Sequence, residues 1–187
     1  MTMKLTFAFL VLSLAVASGE DWRRGTFQLH GAAGGNAVAA TSNGAEPSLG
    51  LGFAGGMGRY VAVTGSYFWN RLASVDSSAC LSEACFRVEA RAVAHELLGG
   101  LRLNAANSSR ATPYLVVGGG LVRAHGSASA PGLALSVTKT QPAFSIGGGV
   151  DIGVGGPVAA IFDIRAVKAS EIRPYARASF GIGFRFK

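Results

Sequence analysis

Residues 177–187 read RASFGIGFRFK, with Phe180, Ile182, Phe184 and Phe186 at every second place and Ser179, Gly181, Gly183 and Arg185 between them. A strict period of two belongs to a β-strand with two unlike faces. What each face meets decides the fold. A sheet in water hides its apolar face. A closed barrel in a membrane turns that face to lipid.

The same alternation recurs upstream. Turn signals cut the chain into eight alternating segments, at 26–33, 48–57, 59–70, 87–104, 114–123, 143–154, 158–167 and 175–186. In the sixth, Phe144, Ile146, Val150, Ile152 and Val154 oppose Ser145, Gly147, Gly149, Asp151 and Gly153. The joins at Gly58 and at Gly155–Pro157 are tight, and the join from Ala105 to Pro113 is somewhat longer. The joins at 34–47, 72–86 and 124–142 are long and rich in small or polar residues, whereas 168–174 is shorter. Short turns at one end and longer loops at the other are the pattern of an outer-membrane barrel.

Composition agrees. Charged residues make up 14% of the 187-residue chain, against about 25% in ordinary soluble domains. Glycine accounts for 27 positions, about twice its usual share. Past the N-terminus no apolar run approaches the ~18 residues of a membrane helix. The second face of the strands is mostly Gly, Ser and Ala, with a few charges. A water-facing surface has no reason to be so rich in glycine. The narrow lumen of an eight-stranded barrel, which side chains just fill, does. The apolar face is therefore expected outside, against lipid, and closure removes the strand edges that hydrocarbon does not tolerate.

The N-terminus carries a separate signal. Lys4, the apolar run Leu5–Val16 and the small-x-small site Ala15-Val16-Ala17 follow the order of a secretory signal peptide. The predicted organisation is a cleaved signal peptide over 1–17 and one barrel domain over 18–187. The fold class is all-β, an eight-stranded antiparallel up-and-down transmembrane barrel. Cys80 and Cys85 in CLSEAC read as a local disulfide in an oxidising compartment, because no further metal ligands lie nearby.

In strand count, loop alternation and the aromatic end Phe180-x-Ile182-x-Phe184-x-Phe186, the chain resembles the small outer-membrane barrels of the OmpA/OmpX type, without an attached peptidoglycan-binding domain. The resemblance spans the segment after the signal peptide. It implies residence in the bacterial outer membrane and a role in membrane integrity, adhesion or lipid contact. The implied partners are outer-membrane lipids, lipopolysaccharide, and the barrel-assembly machinery that reads the C-terminal strand. Lys187 after Phe186 departs from the aromatic terminus common in that family.

Candidate chemistry lies mostly on the inner face. Parity places Glu96, Arg102, Asp151, Asp163, Arg165, Arg177 and Arg185 there. Charges in a narrow lumen must pair, because burying them alone is costly. The primary expectation is a salt-bridged plug. The alternative is a narrow porin-like channel with a charged lining. Basic residues gather near the expected outer rim: Arg71, Arg87, Arg91, Arg123, Lys139, Lys168 and Arg173, diluted by Asp76, Glu83, Glu89 and Glu171. They suit anionic headgroups such as lipopolysaccharide phosphates. Tyr67, Trp69, Tyr114, Phe184 and Phe186 are expected in the aromatic belts.

His30 is expected in the lumen and His95 on the opposite face. His125 and Ser127 at a barrel edge suggest a third alternative, a lipid A-modifying enzyme in which histidine activates serine. No acid follows until Asp151 to complete a triad, so the expectation is a protein that is not an enzyme. Gly50–Gly55 matches G-x-G-x-x-G with Asp76 beyond it, but a dinucleotide site needs a helix there and the alternation continues instead. Asn107-Ser108-Ser109 matches a glycosylation acceptor, a pattern of little weight in a bacterial protein. No cofactor, metal or nucleic-acid partner is expected, and the barrel is expected to be monomeric.

Overall fold

The computed structural model describes residues 24–38, 45–81, 84–105 and 110–186. The signal-peptide segment, Glu83, the Asn107–Ser109 pattern and Lys187 lie outside them. Eight strands form the described chain: β1 (Phe27–Val38), β2 (Glu46–Gly56), β3 (Val61–Leu81), β4 (Ala84–Asn104), β5 (Ala111–Ala130), β6 (Leu133–Gly155), β7 (Val158–Ala169) and β8 (Tyr175–Phe186). Each pairs antiparallel with its sequence neighbours. β8 returns to β1, from Phe27 opposite Phe186 to Val38 opposite Tyr175, and closes the barrel.

The faces divide by polarity in the sense opposite to a soluble protein. Leu51, Leu97, Leu115, Ile146 and Phe180 point outward and are exposed, whereas Gln28, Glu96, Asp151 and Arg177 are fully buried in the lumen. Only a surrounding apolar medium makes such a distribution favourable. The barrel is therefore a transmembrane one.

Turns at the two ends follow local chemistry. Pro131-Gly132 joins β5 to β6, and Gly132 has φ +78, the place where a turn with Pro at its first central position requires glycine. Between β6 and β7, Gly156 at φ +55 takes the left-handed conformation that favours glycine, with Pro157 after it. Gly50 and Gly149 serve packing. A Cβ on Gly50 would lie 2.5 Å from the Phe68 ring, and one on Gly149 would lie 2.7 Å from the Tyr114 hydroxyl. Two large inward side chains fit the lumen because glycine faces them.

Two expectations are corrected here. Segments 72–86 and 124–142 are not long loops. β3 and β4 remain paired to Leu81 opposite Ala84, and β5 and β6 to Ala130 opposite Leu133. Pairing of β2 with β3 stops at Ser48 opposite Asn70, and that of β7 with β6 at Ala169 opposite Ala143. Half of the rim thus rises above the other half as a projecting sheet of β3–β6. The polarity of its faces inverts on leaving the membrane. Outward positions become Arg91, His125, Ser127 and Thr138, and inward ones become Ala90, Ala128, Leu135 and Val137. A register shift between Arg71 and Ala73 moves β3 into the same phase.

Tyr114 is the second correction. It belongs to no aromatic belt, being 6% exposed inside the lumen. It shares the inward phase of Thr112, Val116 and Gly118 on β5.

Candidate functional site: the lumen and the rim

The inner face holds three carboxylates at three heights, each reached by arginine. Nearest the short turns, Asp151 on β6 accepts from Arg185 Nη2 at 2.5 Å, Arg102 Nη2 at 3.1 Å and Gln28 Nε2 at 3.1 Å. This one carboxylate ties β1, β4, β6 and β8. Arg102 also donates to Asn104 at 2.6 Å and lies over the Tyr114 ring, 3.8 Å from its centroid.

At mid-height Asp163 on β7 accepts from Arg165 Nε and from the Tyr114 hydroxyl, both at 2.8 Å. Arg165 extends toward Ser66 Oγ on β3 at 3.5 Å. At the far end Glu96 on β4 accepts from Arg177 Nη1 at 2.5 Å and from the Tyr175 hydroxyl at 2.7 Å, both on β8. Asn70 approaches the same carboxylate at 3.4 Å. Arg177 stacks on Phe68, 3.4 Å from the ring centroid, where Gly50 makes room for that ring.

All seven inward charges named from the sequence lie in the lumen, each 8% exposed or less, and ion pairs join them in three separate groups. Parity alone did not reveal the neutral partners Gln28, Asn70, Tyr114 and Tyr175. Their signal was available, since each shares its strand's inward phase. His30 also faces inward, over Gly52, beside Asp163 and Arg165. The space enclosed there, bounded also by Phe68 and Ser179, is about 10 Å³, room for a single water.

Mixed charge marks the outer surface. Arg71 lies over the Trp69 ring, 5.9 Å from its centroid. Arg87 donates to Asp76 through Nε at 2.8 Å and through Nη2, and approaches Glu89 at 3.6 Å, as Arg91 does at 3.7 Å. The hydrogen bond from Arg87 holds the Asp76 carboxyl below the ordinary carboxylate range. Lys139 does the same for Glu171 through a 2.5 Å hydrogen bond. Arg123, Lys168 and Arg173 are exposed. Tyr67 and Trp69 point outward, with the Tyr67 hydroxyl 2.6 Å from His95 Nδ1; Phe184 and Phe186 are outward and exposed.

His125 and Ser127 share the outer face of β5. His125 Nδ1 is 2.8 Å from Thr138 Oγ1, and Ser127 sits opposite Arg91 and Ser136. The G-x-G-x-x-G segment is part of β2 and leads into β3, not into a helix. In the register, Cys80 stands directly opposite Cys85; their side chains lie outside the described residues.

Structure comparison matches this geometry to known barrels. The crystal structure of Ail, the attachment invasion locus protein of Yersinia pestis, superposes with TM-score 0.62 at 14% identity, over 87% of this chain and 99% of that one. The fold is that of the small eight-stranded outer-membrane barrels. Two more solved structures agree in fold. A major outer membrane protein of Thermus thermophilus matches with TM-score 0.61 at 10% identity, over 86% of this chain and 99% of its own. Neisserial surface protein A matches with TM-score 0.54 at 14% identity, over 86% and 96%. No family model matches the sequence, and no curated protein matches it. At such low identity the outer-membrane barrel likeness is one of architecture.

Proposed function

We propose that the protein is an outer-membrane barrel whose lumen is closed by ion pairs and whose work is done on its outer surfaces. That work is contact with outer-leaflet lipid and lipopolysaccharide at the rim, and with other molecules through the projecting sheet. The cell's barrel-assembly machinery would receive it through β8, as a monomer. The short turns face the periplasm and the projecting sheet faces outward, in keeping with the turn lengths of such barrels.

One observation carries this reading: each lumenal carboxylate is tied across the bore to another strand, Asp151 and Glu96 by arginines and Asp163 by the Tyr114 hydroxyl. Opening a water path would separate these pairs, and a buried charge that loses its partner costs about 3–5 kcal/mol. The rim cations suit lipid phosphates, to which arginine can donate two hydrogen bonds at once.

A catalytic reading gains less support. His125 is engaged by Thr138, and the nearby acids Asp76 and Glu89 face Arg87 and Arg91. Among the described residues no carboxylate holds the His125 ring, the group that would complete a triad with Ser127.

The test is solute flux. Proteoliposomes holding the refolded barrel, loaded with an impermeant dextran and diluted into an isotonic solution of a small neutral sugar, should swell no faster than protein-free liposomes. Faster swelling would favour the channel.

A further inference from the structure

His30 is a titratable side chain of the lumen that the ion pairs leave out. It stands on β1, opposite Gly52 of β2 and Gly183 of β8. A Cβ on Gly52 would lie 2.5 Å from the imidazole Cε1 and Nε2, so the ring fills the place that a side chain at 52 would take. Its Nδ1 is buried and has no hydrogen-bond partner among the described residues. The ring borders the space of about 10 Å³ that Asp163 and Arg165 also line.

This is the height at which the plug is weakest. Asp151 and Glu96 each bind an arginine from another strand. Asp163 binds Arg165 of its own strand, and its tie across the bore is the neutral Tyr114 hydroxyl. Arg165 reaches β3 only at 3.5 Å from Ser66 Oγ. The charges that face the His30 ring are Asp163 and Arg165 from β7, Asp151 from β6 and Arg102 from β4. The strands β2, β3 and β8 present Gly52, Phe68 and Ser179 to it. Arg185 of β8 shares Asp151 with Arg102. Two carboxylates, Asp151 and Asp163, thus already serve three arginines, and an imidazolium would be a fourth cation.

We propose that the protein has an acid-activated ion conductance, in which protonation of His30 loosens the plug at Asp163. Uptake of one proton makes both ring nitrogens donors. The imidazolium then competes with Arg165 for Asp163, the carboxylate that lacks an arginine from another strand. The cation that loses is left buried without a counter-charge, a state that entering water relieves. Phe68 bounds the same space and carries Arg177 on its ring, and Arg177 Nε and Nη2 have no partner among the described residues. Water admitted beside His30 therefore meets free donors toward one end of the bore and the Asp151 group toward the other. The proposal rests on the closed lumen of the reading above, which is the state at neutral pH.

The test records current through the refolded barrel in a planar lipid bilayer while both chambers are acidified. The range, from about pH 7.5 to about pH 3.5, takes in imidazole and carboxylate titration. The parent should start silent. It should then show steps whose open probability rises by up to about tenfold per pH unit, the limit for uptake of one proton. His30→Gln keeps a polar side chain that cannot take up the proton. It should stay silent throughout, with the heat-modifiable gel mobility of a folded barrel. In His95→Gln/His125→Gln, where His30 is the remaining imidazole, NMR should find the ring titrating over the interval in which current appears. That comparison decides the matter even where His30→Gln fails to fold. Opening of His30→Gln at the same pH would overturn the proposal in favour of direct protonation of the carboxylates. A parent that stays silent, or a ring that titrates without current, would overturn it and leave the closed lumen standing. Current at neutral pH that acid does not change would overturn both.

Discussion

Glu96 on β4 and Arg177 on β8 meet across the full bore of the barrel, Arg177 Nη1 lying 2.5 Å from Glu96 Oε1 with both side chains fully buried. In a ring of eight strands, β4 and β8 are opposite one another. The pair therefore works as a strut between facing walls. Removing one member leaves the other charged and buried.

Glu96→Ala should lower stability by about 3–5 kcal/mol, the usual cost of stranding a buried charge. Replacing both members with apolar residues of similar volume, Glu96→Leu/Arg177→Met, should recover most of the loss. Urea unfolding in liposomes measures both. An equal loss in the double variant would show that the pair's geometry, rather than the stranded charge, carries the effect.

Glycine at position 50 is a packing requirement. Gly50→Val would drive a side chain into Phe68, which carries Arg177 on its face. Loss of the folded gel band is expected, or destabilisation in the range of about 1–3 kcal/mol seen for overpacked cores. Gly55→Ala is the control, since its added Cβ meets nothing within 4 Å. It should fold like the parent.

The inner-face charges were legible because a strand's period of two is fixed by backbone geometry. Once the strands are placed, Asp151 and Arg185 can face only inward. Their partners were not legible. That Asp151 meets Arg102, Arg185 and Gln28 depends on the stagger between strands, which no single strand encodes. Tyr114 was misplaced because nearness to a strand end was weighed above phase, although Gly118 and Gly120 on the same strand showed the phase. The upper halves of β3–β6 were hidden for another reason. On β4 the even positions carry charge in the membrane, at Glu96 and Arg102, and alanine above it, at Ala90 and Ala92. The polarity of the alternation reverses where lipid gives way to water, while the ladder runs on.

Acid should act on the projecting sheet through Asp76. Its folded pKa is depressed, so its contribution to stability is present above the ordinary carboxylate value of about 3.9 and is lost as pH falls through the lower folded value. The carboxyl is exposed, so the effect is small and screened by salt. Carboxyl NMR should find Asp76 titrating below the ordinary range, and Arg87→Ala should return it there. An ordinary value in the parent would contradict the ion pair.

The direct opposition of Cys80 and Cys85 in the β3–β4 register suits a short-range bridge at the tip of the sheet. In the exported protein both thiols should resist maleimide until a reductant is added. Reduction should leave the barrel's gel mobility unchanged, because a bridge closing so short a loop adds little to stability. Rapid labelling without reductant would contradict the disulfide.

The closed lumen is the central claim, and single-channel recording of the refolded barrel in a planar lipid bilayer tests it most directly. The account predicts a folded, inserted protein that is electrically silent. Regular conductance steps that change size with Glu96→Gln or Arg165→Ser would contradict it and make the same charges the lining of a pore.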